Sequence, residues 1–133
     1  MYEGIGHFKF RCRYHIIFVC KFRYKVLQNT QIDTKVKQAI EAACRNQDFK
    51  VELMESDKNH LHLLLSCKPT IAVSKAVSRL KQYTTYYVYK DCYNAIRQYY
   101  RPPLRILWTK GCFVSTIGTV SEENIKRYIK EQG

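Results

Sequence analysis

Along this chain the hydrophobic pattern switches between the two-residue period of strands and the roughly 3.6-residue period of helices. Residues 11–19 (RCRYHIIFV) are dense in β-branched and aromatic side chains and predict a strand. Ile32, Val36, Ala39, Ile40 and Ala43 then share one face, which predicts a helix from about Gln31 to Arg45. Thr30 is the expected cap, with Asp33 in the first turn. Residues 49–55 alternate as a strand does, residues 56–59 (SDKN) carry turn chemistry, and residues 60–66 (HLHLLLS) predict a second strand, so the pair reads as a hairpin. In that second strand Leu61, Leu63 and Leu65 lie on one face and His60, His62 and Leu64 on the other.

After Pro69 a long helix is predicted from Ile71 to about Lys90. Its inward stripe is Val73, Val77, Leu80, Thr84, Tyr87 and Val88. Its outer stripe is Lys75, Arg79, Gln82, Tyr86 and Lys90. Arg101-Pro102-Pro103 breaks the chain, and residues 104–109 and 113–116 read as extended pieces around Gly111. A last helix is predicted from Glu122 to about Glu131, capped by Ser121 and stapled by Val120 and Ile125. The order β-α-β-β-α-β followed by a helix predicts an α+β protein. Its expected form is a ferredoxin-like or RRM-like split βαβ sandwich, an antiparallel sheet with two helices on the face of Leu61, Leu63 and Leu65. Residues 1–133 are read as one domain.

Composition narrows the partner. The chain has 23 Lys+Arg against 11 Asp+Glu, a net charge of +12 over 133 residues. A solvated surface needs no such excess, so a polyanion is expected, nucleic acid before an anionic membrane. No apolar run approaches the roughly 20 residues of a span, and the first residues lack a signal peptide's apolar stretch, so a cytoplasmic location is expected. Six cysteines lie far apart without a CxxC pair, which argues against a zinc knuckle and for small buried hydrophobes. Of eleven tyrosines, those from Tyr83 to Tyr100 interleave with Lys and Arg. Such rings either stack unpaired bases or cover core.

Two constellations could carry chemistry. His60 and His62, two apart on a strand, point the same way at about 6.5–7 Å, within reach of one divalent cation. The same pair also reads as two half-exposed histidines. Asn124, Tyr128 and Gln132 are spaced four apart on the last helix, so a phenol and a carboxamide share one face. The alternative is that Tyr128 packs beside Ile125 and Ile129. Lys75, Arg79, Lys81, Gln82 and Tyr86 are the expected nucleic-acid contacts, with Arg11, Arg13 and the Lys21–Lys25 stretch that includes Arg23.

The segments YHIIFVCKFRYKVL, HLHLLLS, LWTKGCFVSTIG and ENIKRYIKEQ occur in that order. Together they resemble the single-tyrosine His-hydrophobe-His transposases of the insertion sequence 200/605 family, from about Tyr14 to Gln132. Cys20 stands where relatives often carry Pro, and Cys112 where an aromatic is common. The resemblance implies that His60 and His62 bind Mg²⁺ or Mn²⁺, that Gln132 completes the metal site, and that Tyr128 is the nucleophile. It also implies a homodimer with shared active sites, acting on hairpin-forming single-stranded ends of a mobile element. No nucleotide cofactor is expected, since no GxxxxGK[ST] loop is present. Asn124 could orient the tyrosine. The competing readings are a non-catalytic RRM-like binding module, a relative that cuts repeated palindromes, and a hydrolase that uses water in place of tyrosine.

Overall fold

The computed structural model describes residues 12–117. Arg11, Asn124, Tyr128, Gln132 and the helix expected at Glu122–Glu131 lie outside the described residues. Strand β1 (Cys12–Val19) leads through two 3-10 turns at Lys21–Arg23 and Val26–Gln28 into α1 (Thr30–Ala43). Strands β2 (Phe49–Asp57) and β3 (His60–Cys67) form the hairpin, and α2 (Val73–Asp91), the single turn α3 (Tyr93–Ile96) and β4 (Phe113–Ile117) follow. The sheet is antiparallel in the order β2-β3-β1-β4. This is the expected ferredoxin-like arrangement, with β1 and β3 central.

The apolar face carries the fold. Ile16, Phe18, Leu61, Leu63 and Leu65 are fully buried in one cluster with Ile32, Val36 and Ile40 of α1 and Ala76, Leu80 and Val88 of α2. Both helices therefore cover the leucine face, and the histidine face is left to the other side. A β-bulge between Val51 and Leu53 shifts the β2 register, so Leu53 lies opposite Leu64 on that second face.

Several local expectations need correction. Asn29, not Thr30, caps α1, because its side-chain oxygen accepts the Ile32 backbone N–H at 3.0 Å. The buried residues of α2 are Ala76, Leu80, Thr84, Val88 and Tyr89, so Val73, Val77 and Tyr87 are only half-buried. A row four residues apart is the ridge that packs into a neighbour's groove, and here it has slipped from the sequence stripe. The hairpin turn is only Lys58-Asn59, with Lys58 at φ 52°. The piece at 104–109 is not a strand but is pinned beside the end of β1. Lys21 N–H donates to the Leu107 carbonyl, and Thr109 N–H donates to the Val19 carbonyl, each at 2.8 Å. Trp108 bridges to Cys20. A loop with Gly111 at φ 73° then separates this piece from β4.

Buried polar groups are tied to this frame. The Thr84 hydroxyl donates to the Leu80 carbonyl at 2.8 Å and accepts from Trp108 Nε1 at 2.8 Å. The Tyr89 hydroxyl donates to the Ile106 carbonyl, and the Tyr100 hydroxyl donates to that of Lys21, both at 2.7 Å. These two tyrosines are core, as one of the two readings of the aromatic run expected. All six cysteines are free thiols, with Cys20, Cys67 and Cys92 buried. Among the described residues no helix is long and apolar enough to cross a membrane.

Candidate active site

Alternation along β3 places His60 and His62 on the face away from α1 and α2, with ring centroids 6.2 Å apart. His62 is 4% exposed and His60 half-buried. Sequence reasoning missed a third imidazole. His15 on β1 lies opposite Leu64, one step diagonal from His62, which faces Ile17. Its Nε2 is 3.3 Å from His62 Nδ1, the rings are stacked at 5.5 Å, and His15 is also 4% exposed. The signal that could have found it is the parity of β1, in which Arg13, His15 and Ile17 share one face.

This contact bears on metal binding. In the tautomer in which His62 Nδ1–H donates to His15 Nε2, the lone pair of His62 sits on Nε2, the nitrogen available to a cation. Burial lowers the pKa of His15 below the usual imidazole value. Burial lowers that of His62 too, reinforced by His15 and His60 and opposed by Asp57 and Glu55. Both rings are then neutral at pH 7, which leaves His62 free of the positive charge that would repel a cation. The imidazoles of His60 and His62 share one face, so both could reach one divalent ion, whose remaining positions would take oxygen ligands. Among the described residues no group of three or more His, Cys, Asp or Glu side chains could hold a metal.

The hairpin register adds carboxylates that no motif placed. Glu55 stands directly opposite His62 and Asp57 opposite His60. Their charge favours a cation at this end of the sheet. The turn length decides this pairing, and a wider turn was expected.

The expected DNA contacts separate into groups. Lys21 and Arg23 follow β1 at the end of the sheet where Val19 pairs with His60. Asn59, the residue before His60, holds the Arg23 carbonyl through its side chain at 3.2 Å. Arg13 is half-buried on the histidine face, its Nε 3.8 Å from Glu52. Lys75, Gln82 and Tyr86 are exposed on α2, across the helix layer from the histidines. Arg79 is engaged internally. Its Nε donates to the Ala43 carbonyl at 2.7 Å and its Nη2 to the Tyr83 hydroxyl at 2.8 Å. Lys81 donates to the carbonyls of Thr109, at 3.0 Å, and Gly111, so its ammonium fills the loop before β4.

Comparison with known proteins places this arrangement. The family model described as "Transposase IS200 like" matches residues 8–132. The chain is 26% identical over 130 residues to the transposase for insertion sequence element IS200 of Salmonella typhimurium, covering 98% of this chain and 82% of that protein. It is 26% identical over 132 residues to the ISDra2 transposase TnpA of Deinococcus radiodurans, covering 99% of this chain and 91% of that one. A crystal structure from Deinococcus radiodurans R1 superposes with a TM-score of 0.72 at 23% identity, covering 99% and 98% of the two chains. A REP-associated tyrosine transposase bound to a REP hairpin superposes with a TM-score of 0.62 at 14% identity, covering 89% of this chain and 62% of that one. The two superpositions speak for the fold, and the family match spans nearly the whole sequence: the chain belongs to the IS200-like transposase family.

Proposed function

We propose that this chain, as a single domain of residues 1–133, is a metal-dependent tyrosine transposase. It cuts and rejoins hairpin-bearing single-stranded DNA in the cytoplasm. The observation that carries the reading is the pair His60 and His62 on the sheet face opposite α1 and α2, with the Nδ1 of His62 within reach of His15. His60, His62 and Gln132 would hold Mg²⁺ or Mn²⁺, and the bound ion would supply Lewis-acid polarisation of the scissile phosphate.

Tyr128 Oη attacks the phosphorus in line, the phenolic proton is lost, and the bond to the 3′ oxygen breaks. That oxygen takes a proton and leaves as a 3′-OH, while the 5′ side stays esterified to the tyrosine. A different 3′-OH reverses the exchange and joins the strands. The linkage energy is held in the phosphotyrosine, so no nucleotide is consumed. Asn124, one turn before Tyr128, would orient the phenol. A homodimer in which the tyrosine helix of one subunit serves the histidines of the other fits the family. A hairpin substrate is supported by the similar tyrosine transposase bound to a REP hairpin.

The test is a denaturing gel of a hairpin-flanked single strand incubated with Mn²⁺ or Mg²⁺. A protease-sensitive protein–DNA adduct is expected. It should vanish in Tyr128→Phe and with EDTA, and fall about 100-fold or more in His62→Ala. Cleavage without an adduct would transfer the chemistry to water, and binding without cleavage would leave only a binding module.

A further inference from the structure

The turn that leaves β1 carries unexplained strain. Phe22 has φ 61° and ψ 12°, and Arg23 has φ 57°. Two successive non-glycine residues in the left-handed region are uncommon and cost of order 1–3 kcal/mol each. The surrounding structure enforces the conformation. Lys21 N–H donates to Leu107, Arg23 N–H to Cys20, the Tyr100 hydroxyl to the Lys21 carbonyl, and the Asn59 amide to the Arg23 carbonyl.

The strained residue is not itself core: its ring lies 6.3 Å from buried Tyr100 and is otherwise open to solvent. Phe22 is 57% exposed and Tyr24 45%. The two rings are 5.5 Å apart, and Tyr24 stacks on buried Tyr100 at 5.7 Å and 21°. They border an open recess of about 530 Å³ with Gln98, Tyr99, Arg101 and Leu104. The segments that form it, 20–28 and 97–109, contain Lys21, Arg23, Lys25, Arg97, Arg101 and Arg105 and no Asp or Glu. The turn begins at the end of the sheet occupied by His60.

From these observations we infer that Phe22 and Tyr24 form a preorganised stacking platform for an unpaired base of single-stranded DNA, with Lys21, Arg23 and Arg101 taking the flanking phosphates. Fixed planar rings bind a base face without an ordering cost, and cations around them match the backbone on either side of that base. A paired stem hides its base faces, so the platform selects unpaired nucleotides beside the hairpin rather than the stem. This inference rests on the proposed action on single strands and names the surface that would seat one.

The test measures binding alone, in a Tyr128→Phe background with EDTA, using fluorescein-labelled dT20 and a 20-nucleotide strand containing 2-aminopurine. Phe22→Gly removes the ring and suits the positive φ, so it should fold at least as well as the parent. Its affinity for dT20 should fall about tenfold or more, with loss of 2-aminopurine quenching, while Phe22→Trp stays within about twofold. Duplex binding should be unchanged by either. Equal dT20 affinity in Phe22→Gly would overturn the platform and leave the transposase reading standing. If the parent binds no DNA, both fail. If Phe22→Gly instead loses binding only to phosphatidylserine vesicles, the surface belongs to a membrane.

Discussion

An imidazole has two nitrogens, and a ligand histidine must reserve one of them. On the proposed reading of His62 as a ligand, that role falls to His15, whose Nε2 sits 3.3 Å from Nδ1. His15→Phe removes that acceptor, and Mn²⁺ affinity is expected to fall about 10–100-fold by calorimetry. His15→Gln can still accept from Nδ1–H and should recover most of it. Equal affinity in His15→Phe would show that His62 needs no such partner. The residue scale also carries two stability tests. Thr84→Val leaves the buried Trp108 N–H without its acceptor and should cost about 1–3 kcal/mol in urea unfolding, whereas Thr84→Ser keeps the hydroxyl. Burial pushes the Cys20 thiol up to about 12, so iodoacetamide at pH 8 should leave it unmodified in the native protein. Modification at the rate of an exposed thiol would contradict its burial. His60 and His62 were legible because alternation on one strand is a local property. His15 was not, because its partner lies on a strand 47 residues away and only the register brings them together.

Among elements, the hairpin and both long helices could be read from periodicity, since burial enforces it. What the pattern could not give was the phase of α2, which depends on how α1 leans against it. Charge patterning misread this helix for the same reason. Arg79 counts as one more cation in a stripe, yet its guanidinium closes the end of α1 through the Ala43 carbonyl. Arg79→Ala is expected to destabilise the fold by about 1–2 kcal/mol and change single-strand affinity by less than twofold. A large loss of DNA binding with unchanged stability would reverse that assignment. Lys81 follows the same logic: two carbonyls of the loop around Gly111 claim it, and no linear motif records them.

For the whole molecule, the net charge of +12 pointed to a polyanion, but the fold decides which cations share a surface with the candidate chemistry. Lys21 and Arg23 stand at the His60 end of the sheet, while Lys75, Gln82 and Tyr86 face away across the helix layer. Arg23→Ala should therefore weaken hairpin binding and lower the slope of log affinity against log salt by about one. Lys75→Ala should do neither to a comparable degree, and equal effects would return the α2 surface to the DNA path. The central placement of β1 and β3 has a kinetic consequence. Each is flanked by a paired strand on both sides, so the amides that join β1 to β3 can meet solvent only when the centre of the sheet opens. Hydrogen exchange at Ile16 and Leu63 should accordingly be among the slowest in the protein, and slower than at Val114 on the rim. The histidines are then mounted on the least deformable backbone available, and fraying of either outer strand would leave their spacing untouched.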